Sequence, residues 1–323
     1  MLSTNTSTRL RIGLAATVWV LLLSACGLSQ NTTLSAVKAA GIQPVAELKD
    51  VALTVGSKEF DEQIILSQIT IAALQAAGAA PVDKTGLQGT GTTRTALTSG
   101  QIDLYWEYTA SAWFSILGQT KPLAGNDLYE AVSAKDLADH KIVWLPAAPL
   151  NDTYAIAVNS AFAKESGIKT LSQMSDYIAK NPAAGSLCVE NEFLQRDDGL
   201  SGMKTAYAMQ GLQSKLMGVA VVYSQVAEGK ACNFGEIYST DGRIGSLDLV
   251  TLTDDKGFFK TYNPAPTVRL ETLTKYPELK TLLEPVIAKL DTQTMTRLNA
   301  EAAAGKSPRD VAITWLQANG FIG

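Results

Sequence analysis

The sequence is poor in the side chains that most often carry catalysis and metal binding. It has one histidine, His140, and three cysteines among 323 residues. A Ser-His-Asp or Cys-His triad would depend on His140 alone, which stands next to Lys141 in a predicted turn, so this class of enzyme is disfavoured. Histidine-rich zinc sites are excluded, and Cys188 and Cys232 lack the CxxC spacing of a cysteine zinc site. We therefore expect no metal and no cofactor.

Signals for binding nucleotides and nucleic acids are also missing. The glycine-rich stretch at residues 86–94 does not end in Gly-Lys-Ser or Gly-Lys-Thr, which disfavours a P-loop. No dinucleotide fingerprint follows the first predicted strand. The chain has 27 Lys and Arg against 31 Asp and Glu, whereas nucleic acid requires concentrated positive charge. We expect no nucleic-acid partner.

Two pairs of adjacent acids leave one enzymatic alternative open. Asp197-Asp198 and Asp254-Asp255 could in principle supply the two carboxylates of a hydrolase. Adjacent acids beside glycine or lysine are more often solvated turn residues. A carboxylate-dependent hydrolase is therefore the less favoured hypothesis.

The apolar run near the start of the chain is too short for a membrane span. Residues 12–23 are apolar and uncharged, but a spanning helix needs about 20 such residues. Arg9 and Arg11 precede the run, so residues 1–25 are predicted to be a secretory signal peptide. The run ends in Leu-Ser-Ala-Cys, the pattern of a bacterial lipobox, in which Cys26 would take a diacylglyceryl group and become the mature N-terminus.

A lipid anchor sets the expected location. Residues 26–50 are rich in Ser, Thr, Ala and Asn and predict a lipidated, partly disordered tether. The globule would then work outside the cytoplasm, at a membrane surface. In such an oxidising compartment the remaining cysteines, Cys188 and Cys232, suggest a disulfide, with two buried free thiols as the alternative.

The rest of the chain alternates β-branched runs with helical spacing. A short strand predicted at residues 51–55 is followed by apolar residues at helical spacing from Ile64 to Gly78. This strand–helix order continues to residue 145 and is typical of an α/β fold. A length of 323 residues fits two domains.

Two proline-marked passages divide the predicted elements. Residues 146–149 and 254–266 are interpreted as crossovers between two lobes. Between them, residues 219–222 are predicted to form a strand. The final part, residues 268–315, is predicted to be mostly helical.

Aromatic residues make up only 7% of the chain, yet they concentrate at residues 102–113. One interpretation is a buried strand that runs into a helix, with all rings in the core. The other is that some of these rings face a cleft and bind a ligand. The aromatic residues concerned are Tyr105, Trp106, Tyr108 and Trp113.

The charged residues near predicted strand ends favour a ligand over the core alone. Lys58 follows the first strand, where α/β sheets bind ligands, although an ordinary surface lysine is the alternative. Glu192 and Arg196 are four residues apart, on one face if helical, and an ordinary ion pair would explain them too. Ring faces attract quaternary ammonium groups and a guanidinium attracts a carboxylate. Aromatic rings and cationic side chains in one cleft would together bind a small zwitterion that carries a methylated cation.

Six collinear motifs make this hypothesis specific, because they resemble the glycine betaine/carnitine/choline substrate-binding proteins of osmoprotectant ABC transporters, the ProX/OpuC type. The resemblance covers roughly residues 51–320. The motifs are Gly56-Ser-Lys-Glu-Phe-Asp-Glu-Gln63, Ile102-Asp-Leu-Tyr-Trp-Glu-Tyr-Thr-Ala-Ser111, Asn151-Asp-Thr-Tyr154, Glu192-Phe-x-x-Arg196-x-Asp-Gly199, Tyr238-Ser-Thr-Asp-Gly-Arg-Ile244 and Asp254-Asp-Lys256.

The resemblance implies a periplasmic-binding-protein type II fold, with two α/β lobes joined by two crossovers around a ligand cleft. Lobe I would comprise residues 51–150 and 256–323, and lobe II residues 151–255. It also implies a monomer that is not an enzyme and that delivers a quaternary ammonium solute to the permease subunits and ATPase of an importer. The same fold serving another small solute, or a sensor, remains an alternative.

The resemblance further implies which side chains bind the ligand. The family's aromatic cage falls on four tyrosines, and its carboxylate-binding groups fall on a lysine, an arginine and a hydroxyl. Two acids match those that line the same cleft. These residues are Tyr108, Tyr154, Tyr238 and Tyr262 for the cage, Lys58, Arg196 and Ser111 for the carboxylate, and Asp152 and Glu192 for the acids. The family commonly reads Tyr-Thr-Gly-Thr where residues 108–111 read Tyr-Thr-Ala-Ser, which keeps a hydroxyl at Ser111.

Overall fold

The computed structural model describes residues 37–121 and 123–323. The predicted signal peptide, Cys26 and the first part of the predicted tether lie outside these residues. Across the described part of the chain, no helix has the length and apolar character to cross a membrane. The strands are β1 Thr54–Lys58, β2 Val82–Leu87, β3 Leu104–Tyr108, β4 Ile142–Trp144, β5 Tyr154–Asn159, β6 Ser186–Val189, β7 Gln213–Leu216, β8 Phe234–Tyr238, β9 Leu249–Leu252 and β10 Pro264–Arg269.

Helices connect these strands and cover the sheets. Thr109–Ser111 continues into a π-helical turn, Ala112–Ile116. A further turn, Asp197–Ser201, is kinked at Gly199 and precedes α8. The helices are α1 Asp61–Ala76, α2 Gly89–Thr98, α3 Thr109–Ser111, α4 Gly125–His140, α5 Ser160–Ser166, α6 Leu171–Lys180, α7 Asn191–Gln195, α8 Gly202–Ala206, α9 Val219–Glu228, α10 Arg243–Ser246, α11 Leu270–Lys275, α12 Glu278–Ile287, α13 Thr292–Ala303 and α14 Pro308–Ala318.

The strands form two five-stranded sheets of the same design. Their orders are β2-β1-β3-β10-β4 and β7-β6-β8-β5-β9. In each sheet four strands run in the same direction, and the fifth, β10 or β5, pairs antiparallel with both of its neighbours. The chain passes between the sheets at residues 145–153 and 253–263. The predicted two-lobed α/β architecture is confirmed.

The strand predicted at residues 219–222 is wrong, because these residues begin helix α9. Val222, Tyr223 and Val226 are buried at helical spacing, and the side chains of Val222 and Val226 lie against Gly235 of β8. Packing of this face outweighs the β propensity of valine. The strand that precedes α9 is β7, which lies at the edge of the sheet. All four of its residues are exposed, so its sequence shows no apolar alternation.

The second proline-marked passage is also partly a strand. Pro264 and Pro266 lie in β10, opposite Tyr108 and Trp106, although proline is usually excluded from central strands. Their carbonyls still accept hydrogen bonds of 2.9 Å, from the backbone N–H of Ala148 and of Leu145 respectively. Only the proline N–H is missing, so the sheet keeps its acceptors.

The prediction of a free tether is wrong for the described residues before position 50. Ala39 forms a β-bridge with Ile322, and the backbone N–H of Ile42 donates to Phe321 O at 2.8 Å. Leu48 is fully buried. Its first residues bond to the C-terminal end of the chain, and its last residues bond to the end of α1, where the backbone N–H groups of Val45 and Asp50 donate to Ala77 O and Gly78 O at 2.9 Å.

Cys188 and Cys232 form a disulfide, with Cα atoms 5.6 Å apart. Cys188 lies in β6 and Cys232 stands just before β8, and these strands are paired. Both cysteines are buried. The bond therefore ties together the two strands that lead to Glu192 and Tyr238.

We expect the protein secreted into an oxidising compartment to carry this disulfide. Mass spectrometry of the unreduced protein after alkylation should find Cys188 and Cys232 unmodified, with the mass two hydrogens below that of the reduced protein. Replacing both with alanine should lower the free energy of unfolding by about 3–4 kcal/mol, because a loop of this size is no longer closed in the unfolded chain. Full alkylation of both thiols without reduction would contradict the bond.

Candidate functional site

The nine predicted ligand-binding residues lie around one cavity between the sheets. The cavity is small, with a volume of about 20 Å³, and has one further aromatic lining residue, Phe60. The lining residues are Lys58, Phe60, Tyr108, Ser111, Asp152, Tyr154, Glu192, Arg196, Tyr238 and Tyr262. Residues separated by up to about two hundred positions in the sequence thus meet at one place.

Strand direction explains this convergence. Lys58, Tyr108 and Tyr238 are the last residues of β1, β3 and β8, and ligands of α/β sheets gather at such strand ends. Tyr154 is the first residue of β5, but β5 runs antiparallel to β8, and Tyr154 lies opposite Tyr238. Both sheets therefore turn their ligand-side edges toward the same cavity.

Four aromatic rings line one side of the cavity in mutual contact. The Tyr154 ring centre is 5.5 Å from that of Tyr238 and 5.6 Å from that of Tyr262. Phe60 stacks on Tyr238 at 4.9 Å with an angle of 16° between the ring planes. Phe60 was not predicted from the sequence, although its place between the strand-end Lys58 and helix α1 was a usable signal.

The dense aromatic stretch divides between core and cavity. Tyr105 and Trp106 are fully buried, and their polar atoms bond inside the protein: Tyr105 Oη donates to Glu107 Oε2 at 2.7 Å and Trp106 Nε1 to Thr70 Oγ1 at 2.9 Å. Tyr108 at the strand end lines the cavity. Both interpretations of this stretch are therefore correct for different rings.

Lys58 is not a surface lysine. Its side chain is 2% exposed, and Nζ donates to Glu107 Oε1 at 2.9 Å. Nζ also lies 5.5 Å from the centre of the Tyr108 ring. A buried ammonium is costly unless it is paired, so Glu107 allows Lys58 to line the cavity as a cation.

Arg196 has an acid of its own, and sequence reasoning missed it. Its Nε and Nη2 donate to the two carboxylate oxygens of Asp198 at 2.8 and 2.5 Å. Asp198 Oδ2 also accepts from Tyr262 Oη at 2.7 Å. Arg196 Cζ lies 5.6 Å from the ring centres of both Tyr154 and Tyr262. Asp198 thus fixes the guanidinium and a ring together, and the interpretation of this acid as a solvated turn residue is wrong.

The other members of the acid pairs lie away from the cavity lining. Asp197 is exposed. Asp254 accepts from the backbone N–H of Phe258 at 3.0 Å and of Phe259 at 2.8 Å, and Asp255 from that of Ser172 at 3.1 Å. Asp254 and Asp255 therefore stabilise backbone turns.

Contacts between the two halves close the cavity. Arg196 Nη1 donates to Ser111 Oγ at 2.7 Å, and Thr90 Oγ1 donates to Glu192 Oε2 at 2.8 Å. Arg243 Nη2 pairs with Asp61 at 3.0 Å. Each contact joins an element of the first sheet's half to one of the second, so this is a closed arrangement.

Burial and neighbouring charge set the protonation of the lining. Burial alone would raise the pKa of Glu192, but the positive charges of Lys58 and Arg196 and the hydrogen bonds from Thr90 outweigh it and lower that pKa. Burial raises the pKa of all four predicted cage tyrosines well above its ordinary value. The rings are therefore neutral phenols with intact π faces.

Comparison with known proteins identifies the family. A family model for the substrate binding domain of ABC-type glycine betaine transport systems matches residues 51–318. The glycine betaine-binding protein YehZ of Escherichia coli (strain K12) is 33% identical over 276 residues, which are 83% of this chain and 90% of that protein. The glycine-betaine-binding protein of Pseudomonas aeruginosa is 34% identical over 273 residues, 82% of this chain and 87% of that one.

A solved structure agrees with the fold. The crystal structure of a glycine betaine/carnitine/choline ABC transporter superposes with a TM-score of 0.67 at 25% identity, over 83% of this chain and 99% of that chain. This confirms the predicted type II periplasmic-binding-protein fold and the family suggested by the six motifs. The chain belongs to the family of substrate-binding domains of ABC-type glycine betaine transport systems.

Proposed function

We propose that this chain captures glycine betaine, or a related quaternary ammonium compatible solute, in an aromatic cage for osmoprotectant uptake by an ABC importer. The convergence of the nine motif residues on one small, closed cavity carries the proposal. That cavity offers rings for a methylated cation and cations for a carboxylate, within one enclosed space.

The rings suit a cation that cannot donate hydrogen bonds. Tyr108, Tyr154, Tyr238 and Tyr262, with Phe60 beside them, present π faces in a site from which water is largely excluded. Each contact with a quaternary ammonium group contributes about 0.5–2 kcal/mol, and more when the group is desolvated. Asp152 and Glu192 add negative charge to the same lining.

The carboxylate of the ligand would also find partners in the cavity lining. Arg196 and Ser111 meet across the cavity at 2.7 Å, and Lys58 lies in the same lining. The hydroxyl of Tyr238 is buried and has no hydrogen-bond partner within the described residues. A ligand carboxylate would supply an acceptor for such donors, and a charged acceptor makes these bonds stronger.

The lining favours binding over catalysis. Its two cations and two acids each have a protein partner, and no nucleophile–base pair stands among the lining residues. The proposal therefore includes the absence of enzymatic turnover. It also includes a monomer anchored through lipidated Cys26 outside the cytoplasm, which hands the solute to permease subunits coupled to an ATPase.

A thermal-shift panel tests the ligand directly. Glycine betaine, proline betaine, carnitine, choline and ectoine are each added to the purified mature protein, with glycine and acetate as controls that lack the methylated cation. A ligand at 100 times its Kd stabilises the folded state by about 2.7 kcal/mol, so at least one quaternary amine should raise Tm clearly. Should none of them do so, a different solute is bound.

Replacing Tyr108 with alanine should weaken glycine betaine binding by at least about tenfold, because cage contacts of about 0.5–2 kcal/mol each are lost. Calorimetric titration measures the Kd. Tyr108→Phe is the matched control, since it keeps the ring and should keep most of the affinity. An alanine variant that folds and binds as the wild type does would remove Tyr108 from the site.

Replacing Arg196 with alanine should weaken glycine betaine binding more than choline binding, because choline has no carboxylate. The measurement is the ratio of the two Kd values in the variant and in the wild type. Equal losses for the two ligands would mean that Arg196 acts through its contacts with Asp198 and Ser111, and not through the ligand.

A further inference from the structure

A single hydroxyl lies between two buried carboxylates at the edge of the ligand cavity. Thr240 Oγ1 is 2.6 Å from Glu62 Oε2 and 2.8 Å from Asp152 Oδ1. Thr240 is fully buried, and Glu62 and Asp152 are 3% and 5% exposed. Asp152 lines the ligand cavity, and all three residues line a neighbouring cavity.

If Glu62 and Asp152 are both ionised, too few hydrogens are available for the two short contacts of Thr240. A threonine hydroxyl has one hydrogen to donate, and an ionised carboxylate only accepts. Thr240 can therefore donate to Asp152 or to Glu62, and the other short contact needs a hydrogen from the carboxyl group. One proton shared by the two acids satisfies both contacts: Glu62 donates to Thr240, and Thr240 donates to Asp152.

The remaining neighbours of Glu62 are compatible with a protonated acid. Tyr108 Oη donates to Glu62 Oε1 at 2.9 Å, and Asn299 Nδ2 donates to Oε2 at 2.9 Å. These donors do not replace the missing hydrogen at Thr240. Glu62 therefore has two acceptor contacts and one contact in which it can donate.

The charged groups that face this pair do not neutralise it. Asp241 and Arg243 follow Thr240, and Arg243 pairs with Asp241 at 2.6 Å and with Asp61 of α1 at 3.0 Å. From the first sheet, Lys58 is paired with Glu107 at 2.9 Å. Tyr108 and, from α13, Asn299 are neutral. The nearby cations are already paired with other acids.

The pKa values of both carboxyl groups are raised, with burial as the largest cause. Burial raises the pKa of Glu62 above its ordinary value of 4.5, although the hydrogen bonds from Thr240, Asn299 and Tyr108 oppose it. Burial, followed by the charge of Glu62, raises the pKa of Asp152 well above its ordinary value. Both directions agree with the count of hydrogens.

The three residues belong to parts of the chain that closure brings together. Glu62 lies in α1 beside the first sheet, Thr240 follows β8 of the second sheet, and Asp152 lies in the passage between them. Opening the cleft would separate Glu62 from Thr240 and admit water to its carboxyl group. An exposed carboxyl releases its proton at neutral pH.

We propose that closure of the lobes around the ligand takes up one proton, which Glu62 and Asp152 share through the hydroxyl of Thr240. This inference rests on the proposed function for its choice of ligand. Affinity is then greatest below the ordinary carboxyl pKa and falls as the pH rises above it, by about tenfold per pH unit until the pKa of the closed form is passed.

Calorimetry of glycine betaine binding measures the proton directly. Titrations at pH 7 in phosphate and in Tris, which differ in ionisation enthalpy, should give an uptake of about one proton per ligand. Glu62→Gln is the matched variant, because its amide can donate to Thr240 but does not titrate. Asn299 Oδ1 has no hydrogen-bond partner among the described residues of the wild type, and after rotation of the Asn299 amide it can accept from the new glutamine. We expect no proton uptake at residue 62 and a Kd that varies little with pH.

Other buried acids provide the controls. Burial raises the pKa of Glu190 to about 7, although backbone N–H groups of Glu192 and Phe193 oppose this. Burial and the charge of Glu190 raise the pKa of Glu236 well above its ordinary value, so both acids are competing sources of a proton. Glu190→Gln should leave the uptake near one. Thr240→Ser should keep the uptake, whereas Thr240→Val should reduce both the uptake and the affinity.

The outcomes are separable. Binding of glycine betaine without proton uptake overturns the coupling and leaves the proposed function intact. Uptake that persists in Glu62→Gln and disappears in Glu190→Gln also overturns it. If glycine betaine does not bind, the proposed function fails in its choice of ligand, and the same titrations with the solute of the panel that does bind decide the proton. An uptake near zero for that solute overturns the proposal.

Discussion

The ligand cavity depends on the pairing of each of its cations with an acid supplied by the protein. Lys58 is held by Glu107 and Arg196 by Asp198, at 2.9 and 2.5–2.8 Å. Without these partners, the cost of burying an ammonium and a guanidinium would exceed what one small ligand can return. With them, the two side chains are paired and held in place at the cavity lining.

The two sheets place these pairs by the same topology. In each, a strand ends at the cavity, β3 or β8, and an antiparallel strand, β10 or β5, packs beside it. Lys58 and Tyr108 come from the first sheet and Tyr154 and Tyr238 from the second. Because two chain passages join the halves, a change in their backbone can open the cavity while each sheet stays intact.

Closure buries acids as well as rings, and this connects ligand capture with protonation. Glu62 and Thr240 are 178 residues apart and are 2.6 Å apart in space. A hydrogen bond of this kind exists only when the halves meet. This hydrogen bond therefore stabilises the closed form. Because it needs a proton, the affinity for the ligand depends on pH.

Local patterns predicted helix α1 and the strand–helix alternation of the first lobe well, because apolar spacing is a local property. They failed at α9, where the burial of Val222 and Val226 outweighs β propensity, and at β10, where proline carbonyls keep a central strand hydrogen-bonded. They also failed before position 50, where packing on the C-terminal end orders the chain.

The sequence by itself determined the types of side chain at the site and their order, because the six motifs carry their own spacing. It determined the family for the same reason. The tertiary structure decided that Asp198 holds Arg196 and Tyr262, that Phe60 joins the rings, and that Thr240 stands between Glu62 and Asp152. These facts depend on distances between segments far apart in the chain, and such distances are set by the packing of one half against the other.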